Sequence, residues 1–245
     1  MKQTQFVFVV PTYNSSKTLK QSLFSVFSQS YHDWKMIVID DCSDDQTSEC
    51  VQGLFELSGN KDKLTLIKND CKKWEIENTL IGLSHCEKND VICRLDLDDY
   101  LIDNTILEQL DCVYRSSSNV EAVWTKHRWF SEREGLTNTN ISKDLPYNAD
   151  PYSHSWVSSH LKTWRKYLSD SVSDENYRNA DGKYFKRIGD QAFYLPVLKL
   201  AKTRGCYPIV SYAYRCDQRS DVFQSDDAKF QALEAQFLRS RGFVR

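Results

Sequence analysis

The sequence predicts an α/β fold, built as one domain over residues 1–245, with a mostly parallel central sheet flanked by helices. Three observations carry this expectation. Short continuous apolar runs, the mark of strands buried on both faces, alternate with segments whose apolar residues recur at helical spacing. The runs end in turn-forming or acidic residues at Pro11–Asn14, Asp40–Asp45 and Asp96–Asp99. In a parallel sheet these would gather beyond the carboxyl ends of the strands, where ligands bind. No internal repeat, low-complexity tract or linker divides the chain.

Phe6-Val7-Phe8-Val9-Val10 is the first expected strand, stopped by Pro11. Ser15 or Ser16 is placed to cap the next helix, whose inward stripe is Leu19, Leu23, Val26 and Phe27. Met36–Ile39 is the second strand, followed by a helix over Thr47–Leu57 and a strand over Leu64–Lys68. A helix over residues 74–86, with Trp74, Ile81 and Leu83 partly buried, leads into a strand at Val91–Leu95. The second half is less regular. A helix is expected over Thr105–Tyr114, with Asp103 or Asn104 ahead of it, and a strand over Val120–Lys126. Residues 131–155 are polar and long enough for a mobile loop. His160–Leu168 looks helical, with Leu161, Trp164 and Leu168 on one face. Another helix is expected over Asp190–Lys202, where Pro196 should kink or interrupt it. Asp226–Arg241 closes the chain with an amphipathic pattern at Phe230, Leu233, Phe237 and Leu238.

Composition narrows the function. With 40% hydrophobic and 27% charged residues the chain is that of an ordinary globular protein, and a net charge of −2 gives no global field for nucleic acid. The eight cysteines are scattered without a C-x-x-C, so they are expected reduced in a cytosolic setting, and zinc has little support. No apolar run is long enough to span a bilayer. Contact with a membrane surface through a lipid-linked substrate stays compatible with that.

The chemistry concentrates in Arg94-Leu95-Asp96-Leu97-Asp98-Asp99. Three carboxylates within four positions repel one another unless water screens them or a cation sits between them. Oxygen ligands of this kind suit Mg²⁺ or Mn²⁺. The competing reading is an acidic loop that caps the following helix. No G-x-G-x-x-G or G-x-x-x-x-G-K-[ST] occurs, against dinucleotide-binding and P-loop readings.

Three ordered motifs resemble those of family 2 glycosyltransferases with the GT-A fold: Val9–Asn14 with Leu23–Tyr31, Ile37–Thr47, and Arg94–Asp99. Weaker likeness continues through Gly189-Asp190-Gln191 and Leu200–Arg215. The resemblance implies a nucleotide-binding half over 1–102 and an acceptor-binding half over 103–245. It implies a metal-dependent, inverting transfer of a sugar from a nucleotide-sugar donor, a UDP-sugar, to an acceptor hydroxyl in glycan, glycolipid or polysaccharide assembly.

Under that resemblance Asp41 would accept a base N–H, and Pro11 and Tyr13 would shape the base pocket, Tyr13 as a stacking face. Asp96 would hold the ribose or support the metal shell, Asp98 would be the principal ligand of Mn²⁺ or Mg²⁺, and Asp99 a further ligand. Asp190 would be the general base, with Asp181 a weaker candidate. Bland readings stand beside these: Tyr13 as a core aromatic, Asp40 as a cap or turn former, Asp190 as a helix cap. Lys72 and Lys73 fit phosphate contact less well than a solvated surface. Trp124, His127, Trp129, His154, Trp156, His160 and Trp164 are acceptor-side candidates, most of the tryptophans being expected in the core. Arg215 fits either a diphosphate, an acidic acceptor or a structural ion pair. The chain departs from the family pattern after the third strand, where only Asn78 of an Arg-Asn pair is present, and at Gly189, where an acidic residue is more usual. A nucleotidyltransferase on a related sheet and a non-catalytic nucleotide- or sugar-binding module remain open as alternatives.

Overall fold

The structure, a computed structural model, describes residues 3–117, 119–138, 140–217 and 226–245, with the backbone alone for Asp226 and Asp227. In chain order the first half holds β1 (Phe6–Thr12), α1 (Leu19–Phe27), β2 (Trp34–Asp40), α2 (Thr47–Leu57), β3 (Leu64–Lys68), α3 (Trp74–Ser84) and β4 (Val91–Arg94). The second half holds β5 (Tyr100–Leu101), α4 (Ile106–Ser116), β6 (Ala122–Ser131), β7 (Gly135–Leu136), β8 (Lys162–Arg165), α5 (Lys166–Asp170), α6 (Gly189–Leu200), β9 (Arg204–Arg215) and α7 (Asp226–Arg241). Among the described residues the strands form one sheet in the order β3-β2-β1-β4-β8-β6-β9-β5, with β7 folded back on β6. β1 to β4 are mutually parallel. β8 runs antiparallel between β4 and β6, and β9 is parallel to β6, so β5, β7 and β8 alone oppose the common direction.

Strand alternation divides the core in two. Phe6, Phe8 and Val10 point to one face with Leu19, Leu23 and Val26 of α1 and Phe55 of α2. Val7 and Val9 point to the other, against Ile76 and Leu83 of α3 and much of α6. Each such buried side chain contributes about 1.5–3 kcal/mol, which explains why the first half follows its apolar pattern so closely. α3 lies tight on the sheet at Gly82, where a Cβ would stand 2.6 Å from Val9 Cγ1 and 2.8 Å from Ile39 Cδ1. The contact also fixes how far the start of α3 reaches over the carboxyl ends of β1 and β2.

Several expectations are corrected. Neither Ser15 nor Ser16 is the N-cap of α1; Thr18 holds that position, and the Ser15 carbonyl accepts the Thr18 and Leu19 N–H groups. Neither Asp103 nor Asn104 is the N-cap of α4; Thr105 holds that position, and Asp103 accepts its N–H at 2.8 Å. The segment expected as a helix from His160 to Leu168 is strand β8 followed by the short α5. Leu161 and Trp164 are an odd number of positions apart and enter opposite cores, which a strand permits and one helix face does not. Pro196 does not interrupt α6, which runs from Gly189 to Leu200 with Pro196 buried inside it. α7 buries only half of the expected apolar face: Leu238 is buried and Phe237 packs against the core, whereas Phe230 and Leu233 are exposed. Among the described residues no helix is long and apolar enough to cross a membrane.

Candidate active site

The three expected turn regions meet as the parallel sheet requires. A cavity of about 340 Å³ at the carboxyl ends of β1, β2 and β4 is lined by Pro11, Tyr13, Asp41, Asp96 and Asp98. The first turn of α3 and the Lys186-Arg187 pair ahead of α6 complete its wall. Asp41 and Asp98 therefore face one cleft.

Asp41 is 4% exposed and is already engaged. Its Oδ1 accepts the Lys73 N–H at 2.7 Å and the Asn69 Nδ2 at 3.1 Å, and its Oδ2 accepts the Trp74 N–H at 2.9 Å. It thus anchors the start of α3 from another strand, and of roughly four lone-pair directions about one stays open on Oδ2. Asp40 is the turn former, accepting the Ser43 N–H at 3.0 Å and the Ser48 hydroxyl. Asn14, Cys42 and Trp74, the non-glycine residues with left-handed backbone among the described residues, all lie at this rim, with φ of 52°, 64° and 70°. Such backbone persists only where surrounding bonds over-determine it, and here the Asn14 N–H to Ser43 Oγ bond at 2.9 Å and the Trp74–Asp41 bond do so.

Tyr13 is exposed in the cavity wall, but Lys72 Nζ sits 3.3 Å from its ring centroid and covers one face. Lys72 is therefore not merely a surface lysine, whereas Lys73 pairs with Glu77 at 3.2 Å. Trp74 gathers cations as well: Lys72, Lys186 and Arg187 lie 4.9, 5.1 and 4.9 Å from its ring. Sequence reasoning missed Lys186 and Arg187. Their signal was a basic pair just before Gly189-Asp190.

The acids divide differently from expectation. Single ligand atoms of Asp96, Asp99 and His160 lie within 4.8 Å of one another. Asp98 lines the adjoining cavity instead of joining that group. Asp99 is buried and accepts the Tyr212 hydroxyl at 2.8 Å and the Arg215 N–H at 2.7 Å. Tyr212 and Tyr214 stack on the His160 ring at 4.7 and 5.2 Å, fixing its plane. Two carboxylates and an imidazole make a donor set that suits Mn²⁺ better than Mg²⁺. Arg215 proves structural: its Nε donates to the Asp98 carbonyl at 2.9 Å and its Nη1 pairs with Glu132 at 3.0 Å.

Asp190 stands at the start of α6, beside a second cavity of about 530 Å³ that α7 closes with Ala228, Ala232 and Ala235. Lys162 Nζ donates to Asp190 Oδ1 at 2.5 Å, and His160 Nε2 is 3.8 Å from Oδ2. Burial works to raise the Asp190 pKa, but Lys162, His160 and Arg94 outweigh it and hold the carboxyl well below the usual carboxylate range. Asp181 is exposed in its turn and lines neither cavity. Of the acceptor-side aromatics, Trp124 and Trp164 are core, and His127 is buried on Ser142 at 3.1 Å. Trp156 alone of the tryptophans expected there lines the second cavity.

Glu75 was not expected at the site, and Arg94 stood in the acidic motif without a role. Arg94 is buried and donates to the Val9 carbonyl at 3.0 Å, to Glu75 Oε1 at 3.0 Å and to Asp96 Oδ1 at 3.2 Å. Burial pushes the Glu75 carboxyl up to about 7 against the pull of Arg94, with Asp190 and Asp96 adding to the rise.

The model of the family described as glycosyl transferase family 2 matches residues 7–170, more than half of the chain. The putative glycosyltransferase EpsE of Bacillus subtilis is 33% identical over 94 residues, 37% of this chain and 32% of that protein. The UDP-Glc:alpha-D-GlcNAc-diphosphoundecaprenol beta-1,3-glucosyltransferase WfgD of Escherichia coli is 28% identical over 109 residues, 44% of this chain and 41% of that one. The chain spans about a third to two fifths of the length of these curated relatives. Among solved structures, S. aureus TarS residues 1–349 in complex with UDP-GlcNAc superposes with a TM-score of 0.71 at 17% identity, over 98% of this chain and 68% of that one. The mannosyltransferase PcManGT from Pyrobaculum calidifontis, in complex with GDP-Man and Mn²⁺, gives 0.68 at 15% identity, over 100% and 66%. The family match counts against the nucleotidyltransferase alternative: this chain belongs to glycosyl transferase family 2 and is built on the GT-A fold.

Proposed function

We propose that the protein moves a sugar, with inversion, from a UDP-sugar to an acceptor hydroxyl of a glycan or glycolipid, in a reaction that needs a divalent cation. The observation that carries this reading is the junction of the two cavities. Glu75, Asp96 and Arg187 line both, so a donor seated over Asp41 and an acceptor beside Asp190 would meet there. The TarS complex holds UDP-GlcNAc and the PcManGT complex holds GDP-Man and Mn²⁺, which supports a nucleotide-sugar donor and a metal here. The WfgD name specifies a diphosphoundecaprenol-linked acceptor, which supports a lipid-linked acceptor here.

The roles follow from position. Pro11, Tyr13 and Asp41 would receive the base, the open direction on Asp41 Oδ2 accepting an N–H. Lys72, Lys186 and Arg187 would lie along the diphosphate. Asp96, Asp99 and His160 would hold Mn²⁺ or Mg²⁺, with Asp98 beside them; the bound cation would neutralise charge on the leaving diphosphate. The acceptor oxygen attacks the anomeric carbon, the bond from that carbon to the phosphate oxygen breaks, and its electron pair leaves with the nucleoside diphosphate. The proton goes to Asp190. A carboxylate kept ionised by Lys162 is a weak base, so it takes the proton late, once bonding to the anomeric carbon has made the hydroxyl acidic.

The test is turnover of UDP-Glc, UDP-GlcNAc, UDP-Gal and GDP-Man by the purified protein, with Mn²⁺, Mg²⁺ or chelator. Transfer or hydrolysis of a UDP-sugar with Mn²⁺, abolished by chelator, is expected. Turnover unaffected by chelator, or of GDP-Man alone, would refute the metal or the UDP assignment respectively.

A further inference from the structure

Glu75 sits where donor and acceptor would meet, and nothing in the roles above uses its second carboxylate oxygen. Arg94 holds Oε1 at 3.0 Å. Among the described residues Oε2 accepts no hydrogen bond from the protein, and the side chain remains partly exposed, at 35%. The carboxyl packs on α6 at Gly189: a Cβ there would stand 1.9 Å from Oε2 and 2.5 Å from Oε1. Glycine at 189 and a carboxylate at 75 therefore belong together, since any side chain at 189 would claim the same volume. This places a carboxylate oxygen, carried by α3, one residue away from Asp190 on the acceptor side.

We propose that Glu75 is an acceptor-binding residue, its Oε2 accepting a hydrogen bond from a hydroxyl next to the one that reacts. The proposal rests on the reading of Asp190 as the acceptor-side base. The substrate class it names is a sugar acceptor with hydroxyls on neighbouring carbons, one over Asp190 and the other over Glu75. Charges facing Glu75 come from Arg94 and Asp96 on the β4 side and from Lys162 and Asp190 beyond it. Arg94 fixes the rotamer but cannot bind the acceptor, because it is buried beneath Glu75 and Asp96.

The test uses the full chain with UDP and Mn²⁺ present, and follows binding of methyl glycosides of glucose, galactose and N-acetylglucosamine by saturation-transfer NMR, with UDP affinity measured calorimetrically. Binding of at least one glycoside by the wild type is expected, weakened tenfold or more in Glu75→Gln, with UDP affinity unchanged within twofold. Gly189→Ala, which displaces the carboxylate without removing its charge, should weaken the glycoside similarly. Deoxy analogues should bind Glu75→Gln and wild type alike when they lack the hydroxyl that Glu75 reads. Glycoside binding unchanged in both variants, or absent from the wild type, overturns the proposal, and so does a tenfold loss of UDP affinity in Glu75→Gln. Failure of the donor assignment looks different: the wild type then ignores UDP but still binds the glycoside through Glu75.

Discussion

Replacing Asp41 by alanine separates two roles, of which the sequence suggested only the contact with the base. If Asp41 only received the base of the donor, its loss would cost donor affinity and nothing else. The structure gives it a second task, since one buried carboxylate accepts the Lys73 and Trp74 N–H groups and the Asn69 amide. The two backbone donors are the first of α3, so their loss resembles removal of an N-cap, about 1–2 kcal/mol. The Asn69 bond adds about 1 kcal/mol. A total near 2–3 kcal/mol in a chain of this size lowers the melting temperature by roughly 5–10 °C. Trp74, held at φ 70° by this anchor, should also relax and carry Glu75 with it. Differential scanning calorimetry without ligand measures the first effect, and Mn²⁺-supported UDP binding the donor role. A melting temperature within 1 °C of wild type, with UDP binding lost, would refute the anchoring role.

Other perturbations test neighbouring groups. Lys162→Met removes the ammonium that keeps Asp190 ionised, so the acid limb of the transfer-rate profile should move to higher pH; an unmoved limb would mean Asp190 is not the group that must be ionised. Burial lowers the His127 pKa from 6.5 to about 4. Its contribution to stability is thus present above about pH 6.5 and is lost as pH falls through 4, because the unfolded chain binds the proton first. Glu75, with its pKa raised, acts with the opposite sign, so the comparison is wild type against His127→Asn: the wild type should lose about 2 kcal/mol more between pH 7.5 and 5 in denaturant titrations. Equal losses would place His127 outside the acid response. Glu234→Ala should loosen the Lys186-Arg187 segment, whose N–H groups Glu234 accepts at 3.2 and 2.9 Å, and reduce UDP affinity several-fold while circular dichroism stays unchanged.

The first hundred residues were legible because their physics is local and repetitive. Strands buried on both faces need uninterrupted apolar runs, and Phe6–Val10, Met36–Ile39 and Val91–Cys93 comply. Once the strands are parallel, their carboxyl ends must share an edge, so the meeting of Asp41, Asp96 and Asp98 was contained in the pattern. Past β4 that logic ends. β8 is a four-residue insertion running antiparallel between β4 and β6, and its partners lie about 40 and 70 residues away in the chain. Leu161, Trp164 and Leu168, spaced by three and four across β8 and α5, mimic one helix face although Leu161 and Trp164 enter opposite cores.

The same non-locality explains which site residues stayed hidden. Asp99 was legible as an acid, but its partners Tyr212 and Arg215 come from β9, and His160 joins it only because β8 slots in beside β4. Glu75 and Gly189 lie in different halves of the chain, and neither is informative alone. A glutamate in the first turn of a helix is an ordinary charge for that position, and a glycine at the start of α6 suggests only a loss of side chain. The meaning appears when the missing Cβ of one is seen to be the space taken by the carboxylate of the other. The pair therefore predicts a reciprocal rescue. Gly189→Glu alone should fold poorly or abolish acceptor binding, because two carboxylates would compete for one site beside Arg94. Combined with Glu75→Gly it restores a single acid from the opposite wall, and acceptor binding should return to within about tenfold of wild type, a gap of about 1.4 kcal/mol. A double variant no better than Gly189→Glu would show that the carboxylate must come from α3.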